Sequence, residues 1–216
     1  MGLPLKRFLA APLLLPLLVA TGFAQVGHAP GSSPYRDIRY GMSMTFFYAD
    51  FGGSGGQYGV GPHNGSGGGV RFDLRISHPL QAGLSITYLD LKRTVLSLND
   101  TGATVSRNGT QGIVNLEGNL HFTLTGRKTW HGLAPYIGGA VGLALASGAS
   151  AKDAIGYNFG TRVSLAPVVG LRVHLGPRLF ARGEFRQTFW KLSYTVPNTS
   201  EWTGGRQLTA GLGFGF

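Results

Sequence analysis

Six arginines fall at even spacings in three stretches of this chain: Arg71 and Arg75, Arg162 and Arg172, Arg182 and Arg186. Asp73, Glu117 and Glu184 lie in stretches with the same alternation, and so do His121 and His174. Residues two apart on an extended chain share a face, so these groups all point one way if their segments are strands. Two chemistries follow. If the shared face is enclosed, the charges must pair and hydrogen-bond, because desolvation costs several kcal/mol per ion, and bidentate arginine–carboxylate contacts are the natural solution. If it is hydrated, six arginines against three carboxylates describe a narrow path that prefers anions. A third chemistry fails on geometry. Ser164, His174 and Glu184 supply the residue types of a hydrolytic triad. Ser164 and His174 are ten residues apart on one strand, however, about 33 Å. His121 and Glu117 are closer, with no serine matched to them, so no catalytic residue is assigned. The six histidines (28, 63, 78, 121, 131 and 174) occupy separate segments without ligand spacing, and neither a metal nor a cofactor is expected.

The elements that must carry these residues are read from period-two alternation. The longest example is residues 158–192, two strands joined by the tight turn Leu175-Gly176-Pro177-Arg178. Val163, Leu165, Val169, Leu171 and Val173 alternate there with the arginine face. Further strands are expected over residues 40–51, 70–77, 80–91, 113–124, 133–146 and 206–216. In the first, Tyr40, Met42, Met44, Phe46 and Tyr48 form the apolar face. In residues 80–91 the phase blurs after Tyr88, where Asp90 and Leu91 suggest a bulge or an exit from the membrane. Residues 52–69, 92–110, 147–156 and 196–205 read as long loops. The turns between them are short, and eight strands with this asymmetry describe a membrane barrel with short periplasmic turns and long extracellular loops. The glycine-dense segment 52–69 lacks the lysine and Ser/Thr spacing of a phosphate-binding loop. Tyr58, His63, Glu201 and Trp202 are the loop residues suited to contact with a partner.

Length bounds the chain at one domain of 216 residues. Residues 1–24 read as a signal peptide, with Lys6 and Arg7 ahead of an apolar core and Gly22-Phe23-Ala24 as cleavage site. Residues 25–39 are an irregular lead-in, and 40–216 the barrel. No other apolar run is long enough for a membrane helix, so a spanning chain must close its strands into a barrel to pair its backbone. There is no cysteine, hence no disulfide framework. The net charge of +10 raises the question of nucleic acid, but the arginines alternate along strands and form no patch, so no nucleic-acid partner is expected.

Alternation alone does not separate a lipid-facing from a soluble barrel. Residues 133–146 carry Gly138, Ala140, Gly142 and Ala144 on the face where neighbours carry Glu117, His121, Arg162 and Arg172. Small beside large is how a narrow closed interior is filled. Aromatics gather toward strand ends, Tyr40 and Phe216 at one rim and Tyr48, Tyr88 and Phe189 toward the other, as interfacial girdles do. The segments Pro135-Tyr136-Ile137-Gly138-Gly139-Ala140-Val141-Gly142 and Gly211-Leu212-Gly213-Phe214-Gly215-Phe216 resemble strands of the small eight-stranded outer-membrane barrels, the OmpA transmembrane domain and its OmpX- and OmpW-like relatives. That resemblance covers 40–216. It implies an all-β fold in the bacterial outer membrane with periplasmic termini. Its implied partners are outer-membrane lipids and lipopolysaccharide, the insertion machinery that reads a carboxy-terminal strand ending in Phe216, and an unidentified envelope or surface protein. The fold itself transfers no single role. The reading is a structural or surface-interaction protein and not an enzyme, with a small anion-preferring channel second and a lipid A-modifying enzyme third.

Overall fold

A computed structural model describes residues 33–99, 102–147, 156–195 and 198–216. The expected signal peptide, residues 25–32 of the lead-in and most of the loop 147–156 lie outside the described residues. Ten strands follow in chain order: β1 (Tyr35–Asp37), β2 (Met42–Gly53), β3 (Asn64–Arg75), β4 (Leu80–Leu98), β5 (Thr104–Thr123), β6 (Lys128–Trp130), β7 (Leu133–Ser147), β8 (Thr161–His174), β9 (Leu179–Tyr194) and β10 (Thr199–Gly215). Eight of them, β2 to β5 and β7 to β10, pair antiparallel in sequence order, and β10 pairs back onto β2. The sheet therefore closes. Closure leaves no edge, which is the condition for strands to stand in lipid. Among the described residues no helix is long and apolar enough to cross a membrane.

Exposure alternates along every barrel strand, and in β4 Leu84 is 64 % exposed while Ser85 beside it is 1 % exposed. Phe46, Ile86, Val141 and Leu212 are likewise more than half exposed. A continuous outer belt of this kind has no place in water and marks contact with lipid.

Of the two expectations after Tyr88, a bulge or an exit from the membrane, the bulge is absent and the side chains fit the exit. β4 runs on to Leu98 and alternates without a break from Leu84 to Arg93, but its two faces exchange chemistry: Leu89 and Leu91 turn inward at 0 % exposure, and Asp90 and Lys92 turn outward. The same exchange follows Tyr48 in β2, where Asp50 faces out and Phe51 in. In β9 it follows Phe189, where Lys191 faces out and Trp190 and Leu192 in. Above this level the barrel is built like a soluble one. Three of the long loops are correspondingly shorter than expected. Residues 64–69 belong to β3, 92–98 and 104–110 to a projecting β4–β5 ribbon, and 199–205 to β10. The ribbon closes through Asn99, whose amide donates to the Ala103 carbonyl and whose Oδ1 accepts from the Ala103 amide.

The lead-in also departs from expectation. Tyr35–Asp37 pairs with Lys128–Trp130 in the turn between β5 and β7. Tyr40 does not join the lipid face but bends inward, 7 % exposed, and clusters with Ile38, Ala134 and Phe180 at the periplasmic mouth. Its hydroxyl bonds His174 Nε2 at 2.8 Å, and its ring stacks on Phe180 at 5.9 Å. The Ile38 carbonyl accepts from Arg75 Nη1 (3.1 Å) and Arg127 Nε (3.3 Å). The segment before the first barrel strand thus covers the lower opening.

Candidate functional site

The interior is stacked in two layers. The lower one is charged. Glu184 of β9 is its centre: Oε2 accepts from Arg71 Nη1 (2.6 Å), Tyr136 OH (2.8 Å) and Arg182 Nε (3.2 Å), and Oε1 stands 3.0 Å from Arg186 Nε. Asp73 holds Arg182 Nη1 at 2.6 Å and Arg172 Nη2 at 3.4 Å. Glu117 accepts from Arg186 Nη1 at 2.6 Å and from Ser164 Oγ at 3.4 Å. Arg182 Nη2 donates to His121 Nδ1 at 3.2 Å, which places the ring proton on Nε2. All of these residues are at most 6 % exposed. The lower layer is an ion-pair network with its partners in contact, the arrangement that buried charges require.

Several expected members lie elsewhere. Arg75 is at the periplasmic rim on the Ile38 carbonyl, His174 is there between Tyr40 and the Gly132 carbonyl, and Arg162 bonds the Asn158 carbonyl toward the outer end. The network therefore holds four arginines against three carboxylates, and the six-to-three excess read from parity is not concentrated in one place. Parity identifies the face and says nothing of depth along the axis.

Two members escaped the sequence reading. Asn119 Oδ1 accepts from Arg71 Nη2 (2.5 Å) and Arg186 Nη2 (2.7 Å), while its Nδ2 donates to Ser85. Tyr136 accepts from Arg182 Nε at 2.7 Å as it donates to Glu184, and its ring lies under the Arg172 and Arg182 guanidinium groups. Both are neutral and so do not register in a search for charge. Asn119 was nevertheless visible at the centre of the alternation Glu117, Asn119, His121. Space for the network comes from β4, β7 and β8, where a Cβ added at Gly83 would strike Asp73 and one at Gly170 would strike Tyr136. A Cβ added at Gly138 would strike His121, and one at Gly142 would strike Glu117. A void inside this layer, bounded by Thr45, Phe47, Arg71, Arg182, Glu184 and Arg186, is about 10 Å³. That is the volume of one water-sized probe.

The upper layer is apolar: Phe51, Leu89, Leu91, Ile113, Phe159, Trp190 and Leu192 are all at most 2 % exposed. Trp190 stacks on Phe51 at 5.2 Å and meets Phe159 edge-on at 5.5 Å. Over it, the turn 54–63 is tied down through Glu201, which accepts from the Gln57 amide and the Tyr194 hydroxyl, both at 2.6 Å. Burial pushes the Tyr194 hydroxyl up from its ordinary range, and the bond to Glu201 adds to the shift. Tyr58 packs edge-on against Tyr194, and His63 Nδ1 lies 3.3 Å from the Gly61 carbonyl. Of the four loop residues read as contact candidates, Glu201 is thus engaged within the chain, and Trp202 stands out at 56 % exposure.

No hydrolytic set is assembled among the described residues. Ser164 bonds Glu117, His174 bonds Tyr40, and Glu184 is held by arginines. Nor does any group of three histidine or acidic side chains there approach metal-binding geometry.

No protein-family model and no curated protein sequence matches the chain. Among solved structures it is similar to Neisserial surface protein A, at 15 % identity and a TM-score of 0.54, over 85 % of this chain and 98 % of that one. Looser likenesses are OprG of Pseudomonas aeruginosa (14 %, TM-score 0.47, 85 % and 99 %) and the amino-terminal β-barrel domain of OprF of the same organism (11 %, TM-score 0.46, 81 % and 97 %). Identity this low speaks for the fold alone. With its closed sheet and its apolar outer belt, that fold makes the chain a small eight-stranded β-barrel of the bacterial outer membrane.

Proposed function

We propose that this barrel is a non-conducting, non-enzymatic surface protein, which works by what it presents outside the membrane. The observation that carries the reading is the closed interior. A charged layer of interlocking ion pairs, with a void of about 10 Å³ among them, lies beneath an aromatic layer, and Tyr40 and Ile38 pack into the periplasmic mouth. Opening such a path would separate several buried ion pairs at once, each costing kcal/mol. The outer end offers a projecting ribbon and the exposed aromatics Tyr58 and Trp202 as contact surface. Solved structures with this fold include a protein named for the Neisserial surface, which fits the reading without assigning a partner.

Planar-bilayer recording of the purified barrel tests it. The expected trace is flat at 1 M salt and 100 mV. Discrete, anion-preferring steps that shrink when Arg172 or Arg182 is neutralised would establish the channel instead.

A further inference from the structure

Two features lie on the outer surface, away from the packed lumen. On the lipid side of β4, β5 and β7, Ala82, Gly118 and Gly139 sit among Leu84, Leu120 and Val141 and floor an open groove of about 780 Å³. The backbone does not require glycine at either position. Neither has a positive φ, and an added Cβ would meet nothing nearer than 3.8 Å at Gly118 or 3.7 Å at Gly139, both ordinary contacts. Gly138 and Gly142 differ, since their inward faces back directly onto lumen side chains. The groove runs from the row Leu80, Phe122, Ile137 beside the periplasmic turns to the row Leu84, Gly118, Val141. That is four residues along the strand, about 13 Å, the depth of one leaflet's acyl region in a core of about 30 Å.

The second feature lies at the periplasmic end of the same strands. His78, from the turn before β4, and Thr125, Arg127 and Lys128, after β5, meet Arg39 of the lead-in around a basin of about 490 Å³. Asp37 is its one lining carboxylate, paired in register with Lys128. Beside it the β1–β6 ribbon exposes Trp130 (48 %) and its partner Tyr35 (39 %), residues suited to the boundary between lipid and water. A basic basin and an exposed aromatic pair thus lie at the periplasmic end of the strands whose lipid faces form the apolar groove. Phosphate, glycerol region and acyl chain follow in that order in a phospholipid.

We infer that this side of the barrel binds one anionic glycerophospholipid of the inner leaflet, its phosphate at Arg39, Arg127 and Lys128 and an acyl chain over Ala82, Gly118 and Gly139. The inference rests on placement in the outer membrane and is independent of whether the lumen conducts. Cell-wall carboxylates would suit the basin, but they leave the groove without a function.

Native mass spectrometry of the folded barrel, incubated with equal amounts of phosphatidylglycerol and phosphatidylethanolamine of the same acyl chains, tests it. The wild-type barrel should retain one phosphatidylglycerol in preference. The Arg39→Gln/Lys128→Gln pair should lower that retention about 25-fold, toward the phosphatidylethanolamine level, since each basic residue near a membrane surface contributes roughly a fivefold factor. Gly118→Leu/Gly139→Leu should lower retention of both lipids, and Ala82→Leu gives the same reading should the glycine pair fail to fold. Equal retention of the two lipids by the wild type, or unchanged retention in both sets of variants, overturns the inference. So does binding of a soluble peptidoglycan fragment that the charge variant abolishes and the groove variants leave intact.

Discussion

The same eight strands pass through both halves of this barrel, yet the halves are filled with opposite chemistry. In the lower half the interior is charged and the exterior aliphatic, with Arg186 inside and Phe185 outside on β9. Five residues further along that strand Lys191 is outside, and Trp190 and Leu192 are inside. The difference follows from solvent. Lipid demands an apolar exterior and leaves polar side chains only the lumen, where they must pair. Water above the membrane demands the reverse, and ordinary hydrophobic burial takes over. Tyr48, Tyr88 and Phe189 stand where the exchange occurs, so the outer membrane boundary can be placed from side-chain chemistry along the strands.

The two halves should respond differently to damage. Glu184→Ala removes the one carboxylate that holds Arg71, leaving that guanidinium only Asn119. The expected loss is about 3–5 kcal/mol in urea unfolding from lipid vesicles. Adding Arg71→Met should recover a good part of it, because the cost is that of an orphaned buried charge. Leu91→Ala in the upper layer should cost about 2–5 kcal/mol through a cavity, with no polar second change able to restore it. If the Arg71→Met double variant is no more stable than Glu184→Ala alone, the lower layer is not the paired network described.

One substitution on either side of the boundary sharpens the contrast. Arginine at Leu84, deep in the lipid belt, should cost about 2–4 kcal/mol, and arginine at Asp90, one turn of the alternation above Tyr88, about 0–1 kcal/mol. Equal costs would put Asp90 in the membrane. The smallest effect is expected at the tip. Tyr194 is held neutral by burial and by its bond to Glu201, so the turn 54–63 should stay closed at and below pH 10. Its closure is lost only as pH rises through the raised folded value. Tyr194→Phe should abolish that alkaline transition, followed by the near-ultraviolet signal of the tip aromatics.

Much of this was legible from alternation alone, because lipid on one side and a narrow lumen on the other enforce a strict period. It located the eight strands, the inward parity and the small-residue strand β7. What it missed has physical causes. A rule that equates apolar with lipid fails above Tyr88, so continuous strand there looks like a bulge or a membrane exit followed by a polar loop. Parity carries no depth, so Arg75, Arg162 and His174 were grouped with charges they do not touch. Tyr40 has the parity of Met42 and Met44, but the strand begins only at Met42, and the free chain before it turns inward to Phe180. Asn119 and Tyr136 carry no charge, and their importance lies in how many guanidinium groups they bridge.

The chain has no cysteine, which allows a direct measurement. Single cysteines placed in turn from residue 84 to residue 92 of β4 can be exposed, in intact cells, to a membrane-impermeant thiol reagent. A closed lumen and a boundary just above Tyr88 predict labelling at positions 90 and 92 and none at 84 to 87, 89 or 91. Labelling at 85 or 87, whose native Ser85 and Thr87 face the interior at 1 % exposure, would mean that water reaches the lumen from outside and would contradict the closed barrel.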